Sequence, residues 1–242
     1  MARRKLDLSF LTARPIAHRG YHDGNKSVCE NTISAALAAV EHNFAIECDV
    51  HLATDGVPVV FHDDDMQRLC NLPGDIRMNT SGELGLRSIG GTRDTVPSLP
   101  RFLKAIGGRV PLVIELKGRK DDDEGFAEAV LESLEGYKGD VALMSFDHWL
   151  LKDLMAAGSP YPVGLTAEGM KPETFFAHEE AMHLGLDFIS YCVQHLPNPF
   201  ITAQRSQGVP VITWTVRDAA MRAHSEANAD QMTFEGFDPD AA

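Results

Sequence analysis

The sequence lacks a long hydrophobic run and lacks paired cysteines. No stretch of its 242 residues approaches the roughly 18 apolar residues that a membrane-spanning helix needs. The four cysteines include no Cys-x-x-Cys pair, and their spacing fits neither a zinc site nor a disulfide framework. The basic start is followed by no apolar segment long enough for a signal peptide. These absences predict a cytoplasmic protein with reduced thiols.

Positive charge is also scarce. The chain has 22 Lys and Arg against 35 Asp and Glu, for a formal net charge of −13. Nucleic-acid-binding proteins normally present a basic surface, so we expect no nucleic-acid partner. An acidic protein that binds an anion needs local positive charge from Arg, Lys, a helix N-terminus or a metal ion.

What the chain does contain is a repeated unit, a short β-branched apolar run followed by an amphipathic stretch. Eight strands are predicted, at residues 15–18, 45–49, 112–116, 141–145, 163–166, 187–190, 210–214 and 231–234. Helical patterns between them include residues 32–41, 123–135, 148–157 and 172–184. Eight strand–helix units in about 250 residues predict an α/β fold of the (β/α)8 TIM barrel type. We treat residues 1–242 as a single domain.

One apolar segment, at residues 57–61, does not fit this alternation. Only a short turn separates it from the second strand, whereas a parallel crossover needs about a dozen residues. We therefore predict an antiparallel hairpin with Asp55-Gly56 as a two-residue turn. Residues 63 to about 97 then form a turn-rich insertion above the barrel mouth, before a helix near 98–106. The helix after the eighth strand should be short or absent.

Carboxylates collect where the predicted strands end. Glu47 and Asp49 share one face of the second strand, and Glu115 and Lys117 share one face of the third. Because barrel active sites lie at the carboxyl ends of the strands, three acids should converge at one mouth. A divalent cation would relieve their repulsion, and oxygen ligands suit Mg²⁺, Ca²⁺ or Mn²⁺. The alternative, simple pairing with Lys117 or Arg19, explains one acid better than it explains three.

Two histidines are predicted beside these acids. A two-residue turn at 55–56 sets Asp49 directly opposite His62, and His18 arrives from the first strand. Two histidines that flank a metal suit general acid–base catalysis near neutral pH. Two further histidines lie near the mouth without an assigned role: His51 and His148.

At these residues the sequence resembles the glycerophosphodiester phosphodiesterases. The resemblance rests first on His18-Arg19-Gly20, Glu30-Asn31-Thr32, Glu47-Cys48-Asp49-Val50 and the run from Thr54 to Asp63. It continues through Arg68, Val96-Pro97-Ser98-Leu99, Glu115-Leu116-Lys117, Ser145-Phe146 and Trp214-Thr215-Val216. These motifs keep their order over nearly the whole chain, so together they are far more specific than any one of them.

The resemblance implies a (β/α)8 barrel with a small insertion after strand 2. It implies metal-dependent hydrolysis of a small glycerophosphodiester to glycerol 3-phosphate and an alcohol. The implied metal ligands are Glu47, Asp49 and Glu115, and the implied acid and base are His18 and His62. The implied substrate-binding residues are Arg19, Lys117, Trp214 and, as a site-supporting residue, Glu30. Strand alternation would set Trp214 and Val216 on one face, away from Thr213 and Thr215.

The sequence departs from the family pattern at several places that bear on substrate identity. Cys29 replaces a Pro, Arg217 an Asn and Glu235 an Asp, while Leu69-Cys70 replaces two threonines and Gln231 a Gly. We expect none of these changes to touch the implied metal or histidines.

Two other functions remain open from sequence. A lysophospholipase D-like hydrolase would need a membrane-facing rim, and no basic amphipathic helix supplies one. A non-catalytic glycerophosphate-binding barrel could dispense with the histidines, yet both are present. The alcohol group, the metal, the choice between water and a cyclic-phosphate route, and the oligomeric state, a homo-oligomer included, are left open.

Overall fold

The apolar runs form a ring of strands with the amphipathic stretches packed outside it as helices. The computed structural model describes residues 6–241. Its strands are β1 (Ile16–Ala17), β2 (Ala45–Leu52), β3 (Pro58–Val60), β4 (Leu112–Leu116), β5 (Val141–Ser145), β6 (Val163–Ala167), β7 (Phe188–Cys192), β8 (Val211–Val216) and β9 (Gln231–Phe234). All of them except β3 pair in parallel in the order β1-β9-β8-β7-β6-β5-β4-β2, and β1 also pairs with β2. The predicted eight-stranded (β/α)8 barrel is confirmed.

Helices connect the strands in the expected places. They are α1 (Phe10–Ala13), α2 (Ile33–Glu41), α3 (Gln67–Cys70), α4 (Ser81–Leu84), α5 (Leu99–Ile106), α6 (Phe126–Ser133), α7 (His148–Ala156), α8 (Pro172–Met182), α9 (Pro199–Ser206) and α10 (Ala219–Asn228). Short 3-10 turns lie at Ile76–Met78 and Val193–His195. No helix follows β9 within residues 6–241. Over the same residues, no helix is both long and apolar enough to cross a bilayer.

Two apolar layers hold the barrel together. Outward-facing strand residues such as Ile46, Ile114 and Leu143 pack against the helices in one continuous buried cluster. A separate cluster that includes Phe188 and Ile212 fills the lower interior. Because the lower interior is packed, a substrate can enter only from the upper end, where the strands terminate.

The β2–β3 hairpin is antiparallel as predicted, but its register differs by one residue. The backbone N–H of Phe61 donates to the carbonyl of Asp49 at 3.0 Å, so Phe61, and not His62, lies opposite Asp49. The loop has three residues, 54–56, and ends in Gly56 at φ 74°. Three-residue hairpin loops need a left-handed residue at this position, which glycine supplies. The prediction of a two-residue turn was therefore wrong.

Residues 63–97 contain α3, α4 and one 3-10 turn, and they share a small apolar cluster with the β2–β3 hairpin and Cys29. Phe61, Ile76 and Leu84 are all fully buried in that cluster. Arg77 joins the segment to the barrel, because its Nη2 donates to the carbonyl of Lys117 at 3.0 Å. The segment is thus anchored at the upper end of β4, beside the mouth.

Candidate active site

Glu47, Asp49 and Glu115 meet at the upper end of the barrel. Asp49 and Glu115 are register partners on β2 and β4, and alternation turns Glu47 to the same face. One carboxylate oxygen from each lies within 4.8 Å of the others, and no residue of the three is more than 6% exposed. Burial, and then the neighbouring acids, raise the pKa of Glu47 well above its usual range, and burial also raises the pKa of Glu115.

Two cations already touch this acidic cluster. Lys117 bonds to Glu115, and its Nζ lies 3.1 Å from Asp49 Oδ1. Arg19 Nε lies 3.5 Å from Asp49 Oδ2, and the backbone N–H of Arg19 donates to Glu47 Oε2 at 2.8 Å. Burial opposes ionisation of Asp49, but Lys117 and Arg19 together hold its pKa below the usual range. Three carboxylates still outnumber two cations, so this buried, all-oxygen donor set fits a hard divalent cation.

Asn31 fixes the orientation of Asp49. Its Nδ2 donates to Asp49 Oδ2 at 2.9 Å, and its Oδ1 accepts the backbone N–H of Asp49 at 3.2 Å. Asn31 is fully buried and has a positive φ of 55°, a conformation that asparagine tolerates better than most residues. The sequence marked Asn31 only as part of a motif, because a contact across 18 positions leaves no local signal.

His18 and His62 line the same cavity, and each has a carboxylate partner on Nδ1. His18 Nδ1 is 2.8 Å from Glu235 Oε2, and His62 Nδ1 is 2.7 Å from Asp63 Oδ1. The expectation that no departure from the family pattern touches a histidine is therefore wrong at Glu235, because the end of β9 lies beside the end of β1. A carboxylate on Nδ1 favours the tautomer with the proton there, which leaves Nε2 free to exchange a proton. Burial lowers the pKa of both histidines below the usual value. Both rings are therefore neutral near pH 7 and able to accept a proton.

His51 supports the second of these histidines from below. It is fully buried, and its Nε2 lies 3.0 Å from the carbonyl oxygen of His62. Burial lowers the pKa of His51 to about 4, so its neutral ring donates this hydrogen bond over a wide pH range. The sequence placed His51 near the mouth but gave it no role, because the contact depends on the actual hairpin register.

Glu30 lies behind Arg19 and outside the cavity lining. Its carboxylate accepts from Arg19 Nη1 at 2.6 Å, from Asn25 at 2.6 Å, and from Arg68 at 2.7 and 2.8 Å. Arg68 also binds Asp63 at 2.7 Å, so one guanidinium links the acid behind Arg19 to the acid beside His62. Arg68 belongs to the family pattern, but the sequence does not predict this bridging contact.

The cavity has a volume of about 200 Å³ and an aromatic side facing the charged one. The rings of Trp214 and Phe146 meet edge to face with centroids 5.4 Å apart, and both line the cavity. Trp214 Nε1 donates to the carbonyl of Ser190 at 3.3 Å. Val216, expected on the same face, packs instead in the outer apolar layer, while Thr215 lines the cavity. An irregularity in the β8–β9 pairing between Thr213 and Val216 breaks the alternation.

A second group of ligand-type side chains lies at the ends of β6 and β7. One atom each of Glu168, Cys192 and His195 falls within 4.8 Å of the others. However, His195 Nδ1 accepts the backbone N–H of Gly169 at 2.9 Å, so the neutral ring carries its proton on Nε2. Metal-binding histidines show the opposite arrangement, with the second ring nitrogen donating. Burial also raises the pKa of the Cys192 thiol. This group is therefore poorly prepared for a metal.

Residues 18–237 match the family model described as the glycerophosphoryl diester phosphodiesterase family. A glycerophosphodiester phosphodiesterase of Caldanaerobacter subterraneus subsp. tengcongensis is 29% identical over 216 residues, which cover 83% of this chain and 84% of the relative.

Solved structures share the barrel fold of this chain. An Oleispira antarctica phosphodiesterase in complex with the product sn-glycerol-3-phosphate is similar with a TM-score of 0.81, at 23% identity over 92% of each chain. A Thermotoga maritima glycerophosphodiester phosphodiesterase has a TM-score of 0.73 at 25% identity, covering 90% of this chain and 92% of that one. The family match runs from His18 to just beyond Glu235 and so contains the whole cavity. The chain belongs to the glycerophosphoryl diester phosphodiesterase family.

Proposed function

We propose that this enzyme hydrolyses small glycerophosphodiesters to glycerol 3-phosphate and an alcohol. The observation that carries the proposal is the meeting, in one cavity, of His18 and His62 with a buried cluster of three carboxylates. A single barrel domain spanning residues 1–242, with an insertion at about 63–97, would contain every residue required. We also keep the cytoplasmic location as a prediction.

One divalent cation, Mg²⁺, Ca²⁺ or Mn²⁺, would be held by Glu47, Asp49 and Glu115. When bound, such an ion supplies positive charge that polarises a phosphoryl oxygen. Burial and then the neighbouring acids raise the pKa of Glu47, and burial raises the pKa of Glu115, so a cation bound between them would stabilise the ionised form of both side chains.

Arg19 and Lys117 would bind the phosphate. Arg19 Nε is buried and makes no hydrogen bond among the described residues, although it lies 3.5 Å from Asp49 Oδ2, so it can donate to a phosphate oxygen. Lys117 lies at the boundary between the acid cluster and the cavity. Glu30 would keep Arg19 in place through its ion pair at 2.6 Å, and Trp214 would line the glycerol or leaving-group side. Fixed donors aimed at a phosphoryl group need no reorganisation as charge builds up.

The two histidines would carry the protons. One accepts a proton at Nε2 from the nucleophile, and the other, once protonated, donates to the leaving alkoxide. Glu235 and Asp63 stabilise the resulting positive charge on each ring through Nδ1. The same two transfers serve attack by water or by the 2-hydroxyl of glycerol, so the residues suit either route.

Turnover of glycerophosphocholine with and without a chelator tests this proposal. His18→Asn and His62→Asn should each lower kcat about 10²–10⁴-fold, and the double variant should cost little more than one single change. Mg²⁺ or Ca²⁺ affinity, measured by titration calorimetry, should be nearly unchanged in all three. Turnover that survives chelation, or that survives loss of a histidine, would disprove the mechanism. A histidine variant that loses metal affinity in step with activity would make that histidine a metal ligand.

The same assay addresses the two alternatives. A lysophospholipase D-like enzyme would prefer lysophosphatidylcholine to glycerophosphocholine, and a binding barrel would turn over neither. The paired histidine–carboxylate contacts favour a catalyst over a binding protein, since a binding site has no need for two oriented bases.

A further inference from the structure

Arg68 lies on α3, in the insertion, and its guanidinium is bonded to two carboxylates at once. Its Nε and Nη2 donate to Asp63 at 2.7 and 2.9 Å, while its Nη1 and Nη2 donate to Glu30 at 2.8 and 2.7 Å. Both contacts are bidentate, the arrangement that fixes the orientation of an arginine–carboxylate pair. A lysine at this position, with one compact ammonium group, could not reproduce both contacts.

Each of these carboxylates also holds a residue of the proposed active site. Glu30 accepts from Arg19 Nη1 at 2.6 Å, and Asp63 Oδ1 lies 2.7 Å from His62 Nδ1. Arg68 itself is not among the residues that line the cavity. It therefore reaches Arg19 and His62 through the two acids, from outside the cavity.

The charge of Arg68 keeps the two acids together. Burial opposes ionisation of Glu30, but Arg68 and Arg19 hold the pKa of its carboxyl below the usual range. Burial likewise opposes ionisation of Asp63, and hydrogen bonds from Arg68 and His62 lower its pKa. Loss of Arg68 would leave two neighbouring carboxylates that repel each other. The residues that these carboxylates hold would then shift with them.

The backbone that carries Arg68 is anchored, although the Arg68 side chain is 44% exposed. The adjacent Leu69 is buried in the apolar cluster that includes Cys29, the residue before Glu30. The carbonyl of Leu69 accepts the backbone N–H of Gly90 at 2.7 Å. A lone exposed ion pair adds little stability, whereas a bidentate network can define a geometry. We therefore expect Arg68 to matter for the placement of its partners more than for the stability of the fold.

We propose that Arg68 is a positioning residue that fixes Arg19 and His62 relative to each other, so that the phosphate is held where His62 can exchange a proton with a reacting oxygen. This inference rests on the proposed function, in which Arg19 binds the phosphate and His62 carries a proton. The insertion thereby contributes to the reaction through α3 without touching the substrate. A displacement of about 1 Å in such a site can cost roughly 10²-fold in rate.

The kinetics of three variants separate the two halves of this link. Glu30→Gln should mainly raise KM for glycerophosphocholine, by about 3–10-fold, the scale of one net hydrogen bond, because Arg19 is held less firmly. Asp63→Asn should mainly lower kcat, by about tenfold or more, because His62 is no longer held in place by a charged partner. Arg68→Ala should change both parameters in these directions.

Two further variants serve as controls. Arg68→Lys keeps the positive charge but can serve only one carboxylate well, so it should recover at most one of the two losses. Arg101 on α5 is exposed and donates to Thr95 Oγ1 at 3.4 Å. Arg101→Ala should therefore leave kcat and KM within about twofold of the parent values.

The tautomer of His62 gives a readout that needs no turnover. In protein with ¹⁵N-labelled histidine, long-range ¹H–¹⁵N NMR spectra show which ring nitrogen carries the proton. At neutral pH, His62 should carry it on Nδ1 in the parent and become a mixture of tautomers in Arg68→Ala. His18, whose partner is Glu235, should keep its tautomer in both proteins.

Several outcomes would overturn the inference. Arg68→Ala could leave kcat, KM and the His62 tautomer unchanged, or Arg68→Lys could restore both kinetic parameters, which would show that charge alone suffices. Equal changes at His18 and His62 would show a general disturbance of the barrel mouth. Failure of the proposed function looks different: the parent protein would hydrolyse no glycerophosphodiester with any divalent cation, while the His62 tautomer would still depend on Arg68.

Discussion

At the scale of single residues, the cavity histidines depend on acids that lie outside the cluster of Glu47, Asp49 and Glu115. The hydrogen bond from His18 lowers the pKa of Glu235 to about 2, so Glu235 stays ionised throughout the neutral range. Arg217, which replaces the asparagine expected from the family pattern, adds a second contact at 3.2 Å from its Nη2 to the same carboxylate oxygen. A permanently charged partner keeps the His18 ring in one tautomer and one orientation.

Glu235→Gln should therefore lower kcat by about tenfold or more while KM stays within about twofold, because the ring loses a charged partner and the phosphate contacts remain. Steady-state kinetics would measure both parameters. Glu226→Gln is a matched control, since Glu226 is exposed and, within residues 6–241, its ion pair is with Arg222 on α10. A variant whose KM rises while kcat holds would place Glu235 in substrate binding instead.

At the scale of secondary-structure elements, the lower interior depends on one residue without a side chain. A Cβ added to Gly164 on β6 would lie 2.4 Å from the Phe188 ring, far inside the contact limit. The ring fills the space that the glycine leaves, and the apolar cluster beneath the site depends on that fit.

Gly164→Ala should lower the free energy of unfolding by about 1–3 kcal/mol through overpacking, and the melting temperature by roughly 2–12 °C for a chain of this length. Differential scanning calorimetry gives both. Gly82→Ala on α4 is the control, because the new Cβ meets no atom within 4 Å there. Adding Phe188→Leu to the Gly164 variant should restore part of the loss; no recovery would mean that the strain lies elsewhere.

The packing of α8 against the barrel depends on pH through one buried histidine. His178 packs against the rings of Tyr191 and Phe200, and its Nδ1 has no partner among residues 6–241. Burial lowers the pKa of His178 to about 4. The unfolded chain therefore takes up this proton near pH 6.5 and the folded chain only near pH 4.

Stability should consequently fall as the pH drops from about 6.5 to 4, by up to roughly 1.4 kcal/mol per pH unit from this residue. His178→Phe should flatten the dependence in that window and leave the curve above pH 7 parallel to that of the parent. Urea unfolding at several pH values would measure it. If the free energy of unfolding falls equally with pH in the parent and the variant below pH 6.5, His178 is not the cause.

The elements also show what sequence could and could not predict. The sequence predicts the strands because each is a short apolar run. It predicts that Glu47, Asp49 and Glu115 converge because side chains alternate reliably within a straight strand. The hairpin register was missed because loop length depends on the backbone of Gly56, which favours a third loop residue. Contacts such as those of Asn31 and His51 depend on tertiary packing, which leaves no local pattern.

At the scale of the whole molecule, a chain with net charge −13 gathers three of its carboxylates, all buried, at one point. A cation that binds there only in the folded state stabilises that state by mass action. Added Mg²⁺ or Ca²⁺ at 100 times its dissociation constant should raise the free energy of unfolding by about 2.7 kcal/mol. Thermal melts with cation and with chelator would show the difference. Glu115→Gln should lose most of this shift, and an equal shift in that variant would locate the ion elsewhere.

The closure of the ring sets an order in which the site can be completed. β1, only two residues long, pairs with both β2 and β9, and the bond between His18 and Glu235 joins positions 217 residues apart. A chain folding from its N-terminus would carry both histidines and all three clustered carboxylates long before the partner of His18 arrives. Unfinished chains should thus be inert toward cellular diesters. In refolding experiments, activity should return with the slowest structural phase, after most helix signal has recovered.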